Sequence, residues 1–242
     1  MKKVIISGVL AAIAMSMCAC GGNAHTVSTA SVAVESQSTY AVSDGSGEGA
    51  SQTATADFGE ITEENFMDFP TTDESEFETF SVDGGVYIKY CSSEDPVVVV
   101  PETIGGEKVL GMSDGVFFQK DNLIAVSLPD TVEHVGNMIM NCFNLKYINL
   151  GSGLKEISNF IVQRSKVMEK IYVPEGVESI NSVATCCPEL KDIYVPSTAT
   201  EITGLVTTVD YDCPNAVIHT PKGSAAEQWA IEHDIPVVND YE

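Results

Sequence analysis

Leu123-Ile-Ala-Val-Ser-Leu-Pro129, Leu145-Lys-Tyr-Ile-Asn-Leu-Gly151, Met168-Glu-Lys-Ile-Tyr-Val-Pro174 and Leu190-Lys-Asp-Ile-Tyr-Val-Pro196 are four copies of one phrase. Their closing residues lie 22, 23 and 22 positions apart. Three residues after each closing residue comes a second apolar pair: Val132/Val135, Leu154/Ile157, Val177/Ile180 and Ala199/Ile202. The last two apolar residues of each phrase are two apart, so both point to one side of a short strand. The Pro that follows has no N–H to donate and ends the strand. One unit buries a single face and cannot stand alone; stacked units turn those faces into a continuous core. A helical reading fails, because Pro or Gly returns in every unit and leaves no room for a long amphipathic helix beside the strand.

A Leu-x-x-Ile-x-Leu phrase with a period in the twenties is the mark of a leucine-rich repeat. Further residues refine the likeness: Val132-x-x-Val135-Gly136, Cys142-x-x-Leu145, Cys187-x-x-Leu190 and Val116-Phe117. With these the chain resembles the BspA-type leucine-rich repeats of bacterial surface proteins. Phe80 to Asn122, with Val97-Val-Val-Val-Pro101, resembles the family's opening unit. Val217-Ile-His-Thr-Pro-Lys-Gly-Ser224, Trp229 and Ile235-Pro-Val-Val238 resemble its closing unit. The resemblance implies a mainly β, right-handed solenoid of about five coils, each of 22–23 residues. It implies a scaffold that binds partners and no particular ligand.

Working outward, Asp83-Gly84 between alternating apolar residues predicts a hairpin over residues 80–90. Its role is to cover the solenoid's first open edge. Ser224-Ala-Ala-Glu227 is a capping box that starts a short closing helix, with Trp229 plugging the last coil. The solenoid domain is thus expected over residues 80–242.

Residues 1–19 read as a leader. Lys2-Lys3 precedes an apolar run from Val4 to Met17, too short for a membrane span. It ends in Met17-Cys18-Ala19-Cys20-Gly21, which resembles a bacterial lipoprotein cleavage site, with Cys20 as the acylated residue. The expectation is an exported protein on the outer face of the cell membrane, held there by the N-terminal lipid alone. Residues 20–79 are rich in Ser, Thr and Gly and then in acid, and no Lys or Arg occurs between Lys3 and Lys89. Such a segment is expected to be a disordered tether, even though Ile61–Phe69 contains enough apolar residues for one helical turn.

The formal charge of −23 argues against nucleic acid, whose binding rests on many Lys or Arg contacts. No nucleophile elbow, zinc-protease helix or calcium loop appears, no C-x-x-C pair follows the leader, and neither enzyme nor cofactor is expected. Cys142, Cys187 and Cys213 share one repeat slot with Ser165, and a buried thiol behaves there as a small hydrophobe. Candidate contact residues come from the outward slots of the strands. Lys146 and Tyr147, Lys170 and Tyr172, and Lys191 and Tyr194 gather three bases and three rings on one sheet face. Tyr supplies rigid contact area with a polar tip, as interface hot spots do. The function expected is a surface binding or adhesion module for an extracellular protein, with a glycan-binding accessory as the first alternative and an enzyme whose site motif reading does not reveal as the second.

Overall fold

The structure, a computed structural model, describes residues 58–206 and 213–241. The leader, Cys20 and the tether as far as residue 57 lie outside the described residues. The described residues wind into a mainly β solenoid of about seven turns, with one short α-helix near the C-terminus. Sequence reading finds about five turns, because the first and last coils lack the full phrase.

Each coil contributes a strand to three parallel ladders. On the first side, Gly85–Cys91, Glu107–Met112, His134–Val135, Glu156–Ile157, Ser179–Ile180 and Glu201–Ile202 follow one another. On the second side run Phe117–Phe118, Ile139–Met140, Val162–Gln163 and Ala184–Thr185. The quoted phrases form the third side, with Val97–Val99, Ala125–Ser127 and Tyr147–Asn149 in one sheet. Lys170–Tyr172, Asp192–Tyr194, Val217–His219 and Val237–Val238 form a second sheet. No strand pairing joins Tyr147–Asn149 to Lys170–Tyr172, so the third side is interrupted in its middle.

Inward residues meet their counterparts one coil on. Ile171 faces Ile193, which faces Ile218, while Ile157 stands between Val135 and Ile180. The inward slots from both sheets of the third side belong to one apolar core. The second-side strands end at Gln119, Asn141, Arg164 and Cys186, all with positive φ, which turns the chain sharply toward the third side. The residue after this corner is Lys120, Cys142, Ser165 or Cys187, and each is buried. Burial pushes the Cys91 and Cys142 thiols up to about 11. The Cys187 thiol is raised well above its ordinary value by its hydrogen bond with Cys213 and by burial. Neutral thiols of this kind are packing groups rather than nucleophiles.

Both caps form. Phe77–Val82 pairs antiparallel with Gly85–Cys91 around Asp83-Gly84, and Gly84 adopts φ +87° at the turn. The second hairpin strand is itself the first rung of the first side. At the other end the helix Ala225–Glu232 starts at Ser224, whose hydroxyl accepts the Glu227 N–H at 3.1 Å. Ala226, Trp229 and Ala230 turn inward and close the core.

Residues 58–79 depart from the disordered tether expected of them. Phe66–Asp68 forms a turn of 3-10 helix, and Phe66 packs with Phe58, Ile61 and Phe69 over Val97, Val99, Ala125 and Tyr147. Thr72 then binds the edge of the first rung, donating its N–H to the Val99 carbonyl at 2.9 Å and accepting the Val99 N–H at 3.1 Å. The cause is the outward apolar strip on the first rungs, which the chain covers with its own four widely spaced apolar residues. Their acidic neighbours dilute the composition and hide this amphipathic strap.

Candidate functional site

The outward residues of the third side fall into two columns. One runs Val97, Ala125, Tyr147 and, beyond the interruption, Lys170, Asp192, Val217; the other runs Val99, Ser127, Asn149 and then Tyr172, Tyr194, His219. The face therefore has two halves of different character. The first is apolar, and the strap built from Phe58, Ile61, Phe66 and Phe69 lies on it. The second carries aromatic and charged groups, of which Tyr172 is exposed, His219 is buried and the rest are half-buried.

On the second half, Tyr172 stacks on Tyr194 with centroids 4.4 Å apart and planes within 11°. Tyr194 in turn stacks on His219 at 4.5 Å and 26°. Parallel strand spacing places same-slot rings about this far apart, so the stack follows from the register. Tyr241 meets Tyr194 edge-on at 5.5 Å. His219 is held between two carboxylates, with Nδ1 2.8 Å from Asp240 and Nε2 3.0 Å from Asp192. Burial opposes the charged imidazole, yet hydrogen bonds and charge from Asp240 and Asp192 outweigh it and raise the His219 pKa.

A raised pKa means that the folded chain holds this proton at pH values where the unfolded chain has released it. The resulting stabilisation is complete below the ordinary value of 6.5 and is lost as pH rises through the higher folded value. We expect the His219 ring resonances to titrate with a midpoint above 6.5, and Asp240→Asn to lower that midpoint. A midpoint at or below 6.5 in the parent would contradict the two-carboxylate clamp.

The remaining expected contact residues are placed differently from one another. Tyr147 is one slot away from the Tyr172 column, as its sequence position requires, and stacks on Phe66 of the strap at 5.7 Å and 16°. It thus belongs to the covered half. Lys146 lies over the Tyr147 ring, 5.0 Å from the centroid. Lys170 pairs with Glu63 of the strap at 2.7 Å, and Lys191 with Glu169 at 3.3 Å. The three lysines are therefore engaged within the chain and do not form a separate basic patch.

A cleft of about 370 Å³ opens where the third side is interrupted. Its lining includes Ile148, Leu150 and Val173, Phe66 and Met67 of the strap, Tyr172 and Tyr241, and the charged groups Lys146, Lys170 and Glu63. The turn after Tyr147–Asn149 is pressed against the preceding coil. A Cβ on Gly151 would come within 2.6 Å of the Pro129 carbonyl oxygen, and one on Gly153 within 2.0 Å of that of Asp130. Only glycine permits this approach.

Residues 111–206 match the BspA type leucine rich repeat region in six copies. These coils are BspA-type leucine-rich repeats. A leucine rich repeat protein of T. pallidum shares the fold, with a TM-score of 0.50 and 22% identity over 62% of this chain and 71% of that one. A leucine rich cell surface protein from Faecalibacterium prausnitzii A2-165 aligns at 27% identity and a TM-score of 0.47, over 62% of this chain and 39% of that one. No curated protein matches the chain.

The BspA-type stretch contains Tyr147, Tyr172 and Tyr194, together with Lys146, Lys170 and Lys191. It does not contain Glu63, Phe66, His219, Asp240 or Tyr241. Sequence reasoning missed these five as members of the face. The signal for His219 was present: in Val217-Ile-His219 it takes the slot of Tyr194 in Asp192-Ile-Tyr194. The other four come from segments with no repeat register, so nothing in their spacing ties them to the face.

Proposed function

We propose that this chain is a surface binding and adhesion module that takes an extracellular protein on the second half of its third side. The observation that carries this reading is the contrast between the two halves. The chain covers the apolar half with its own strap and leaves Tyr172 exposed at the end of a rigid ring stack beside a cleft. Aromatic anchors held by a stiff scaffold lose little conformational entropy on binding, which is why interfaces favour them. BspA-type repeats supply that scaffold.

The test is capture of partners from host or neighbouring-cell surface extracts, followed by affinity measurement with Tyr172→Ala/Tyr194→Ala. We expect at least a tenfold loss of affinity, about 1.4 kcal/mol, in a variant whose circular dichroism is that of the parent. Full affinity in that folded variant would move the contact surface to another side. Capture of glycan instead of protein would support the alternative, a glycan-binding accessory on the same face.

Export and anchoring belong to the same proposal. Ala19-Cys20 after a basic and apolar leader supports acylation at Cys20. A single chain holds a protein only marginally, so several chains would act together at that residue. Cys20→Ser is expected to release the protein into the medium or leave it uncleaved, as read by fractionation and intact mass. Membrane retention of the parent with Cys20 unmodified would count against the anchor.

A further inference from the structure

We propose that the cleft beside Tyr172 receives the guanidinium of an arginine presented by the partner, stacked on the ring face that Tyr194 leaves open. This rests on the third side being the partner surface. The ring stack is closed at one end and open at the other. Tyr194 lies between Tyr172 and His219, so both of its faces are taken. Tyr172 is the last ring toward the interruption, borders the cleft and remains 42% exposed. The face of Tyr172 away from Tyr194 looks toward the interruption and the cleft there.

The cleft already makes contacts of the same kind with the chain's own cations. Lys146 Nζ lies 5.0 Å from the Tyr147 centroid, and Lys170 Nζ lies 2.7 Å from a Glu63 carboxylate oxygen. Among the described residues, none of the cation–ring contacts involves Tyr172. The cleft's own lining holds Lys146, Lys170 and Glu63, and further acid stands just outside it: Glu60 and Glu169 near Lys146, and Glu175 near Tyr241. With a chain charge of −23 behind them, these acids attract an incoming cation and repel a carboxylate-rich segment.

Arginine meets both demands better than lysine. Its planar group stacks on a ring while its N–H fork donates to carboxylates, and it is less strongly hydrated than an ammonium. The apolar lining from Met67 and Ile148 suits the aliphatic stem.

The experiment uses the full chain and fluorescein-labelled octapeptides of alternating arginine and glycine, with lysine and glutamate counterparts, in about 0.15 M salt. Neutral oligosaccharides are titrated in parallel. We expect the arginine peptide to bind more tightly than the lysine peptide and the glutamate peptide not to bind. Tyr172→Ala should weaken the arginine peptide by about tenfold, while Tyr172→Phe stays within about threefold of the parent. Neither substitution changes charge, so diffuse attraction to an acidic surface cannot produce this pattern. Equal binding of the arginine and lysine peptides, insensitive to Tyr172→Ala, would overturn the proposal. So would oligosaccharide binding that depends on Tyr172 while the arginine peptide fails to bind. If the arginine peptide fails but a captured protein still loses affinity in Tyr172→Ala/Tyr194→Ala, the arginine inference falls and the partner surface stands. Full partner affinity in that variant removes both.

Discussion

Ile171→Asp should leave the repeat domain unfolded or lower its melting temperature far more than Ile171→Val does. Ile171 is fully buried, with Ile193 opposite it on the next rung. Removing a buried aliphatic side chain of this size costs about 2–5 kcal/mol. An unpaired carboxylate in the same place adds several kcal/mol or takes up a proton to avoid ionising. Together these approach the roughly 5–15 kcal/mol that separate a folded domain from its unfolded chain. The damage should also spread. Coils are joined on the first and second sides even where the third is interrupted, so protection from hydrogen exchange should fall on rungs either side of Lys170–Tyr172. The valine control should cost only about 0.5–1.5 kcal/mol. An aspartate variant that melts with the parent would mean that the inward register is wrong.

Lys120→Met is expected to cost about 2–4 kcal/mol, which is large for a lysine. Lys120 sits at the corner slot that other coils fill with Cys142, Ser165 or Cys187, and it is only 5% exposed. Its ammonium donates to the carbonyls of Ser92 and Ser93 at 3.2 and 2.8 Å and to Glu94 at 2.9 Å. Those groups belong to the loop that leads into the first rung of the third side. Methionine keeps the stem and removes the donors, leaving a carbonyl at the buried Ser93 without its partner. Hydrogen bonds to a charged group contribute about 1.5–3 kcal/mol each, and the exposed Glu94 adds little. A shift in the urea midpoint at unchanged slope would register this loss. A cost below about 0.5 kcal/mol would mean that water takes over the lysine's role.

The contrast between these two positions shows what was legible in the sequence. Ile171 lies inside Met168-Glu-Lys-Ile-Tyr-Val-Pro174, where alternation and a terminal proline encode strand, facing and strand end together. Lys120 lies at the edge of the repeats, where the same slot holds a group whose partners come from an irregular loop. The stack of Tyr172 on Tyr194 was readable, because equal spacing guarantees neighbouring rungs. Its extension to His219 needed the last phrase to be aligned with the others despite its different residues. The strap over Val97, Val99 and Ala125 was missed for a related reason. Phe58, Ile61, Phe66 and Phe69 are too few and too dispersed among acids to show a period, and their cover becomes necessary only once the outward strip exists. The interruption after Tyr147–Asn149 left one trace, glycine at 151 where Pro129, Pro174 and Pro196 close the other phrases.

The central claim is that partners are met on the second half of the third side. Photocrosslinking from a single benzoylphenylalanine tests it on intact cells, with the probe placed in turn at Tyr172 on the third side, Phe118 on the second and Glu156 on the first. All three positions are exposed, so each probe can reach a bound molecule. A discrete crosslinked partner is expected from Tyr172 and none from Phe118 or Glu156. Crosslinks from Phe118 or Glu156 with Tyr172 silent would contradict the claim.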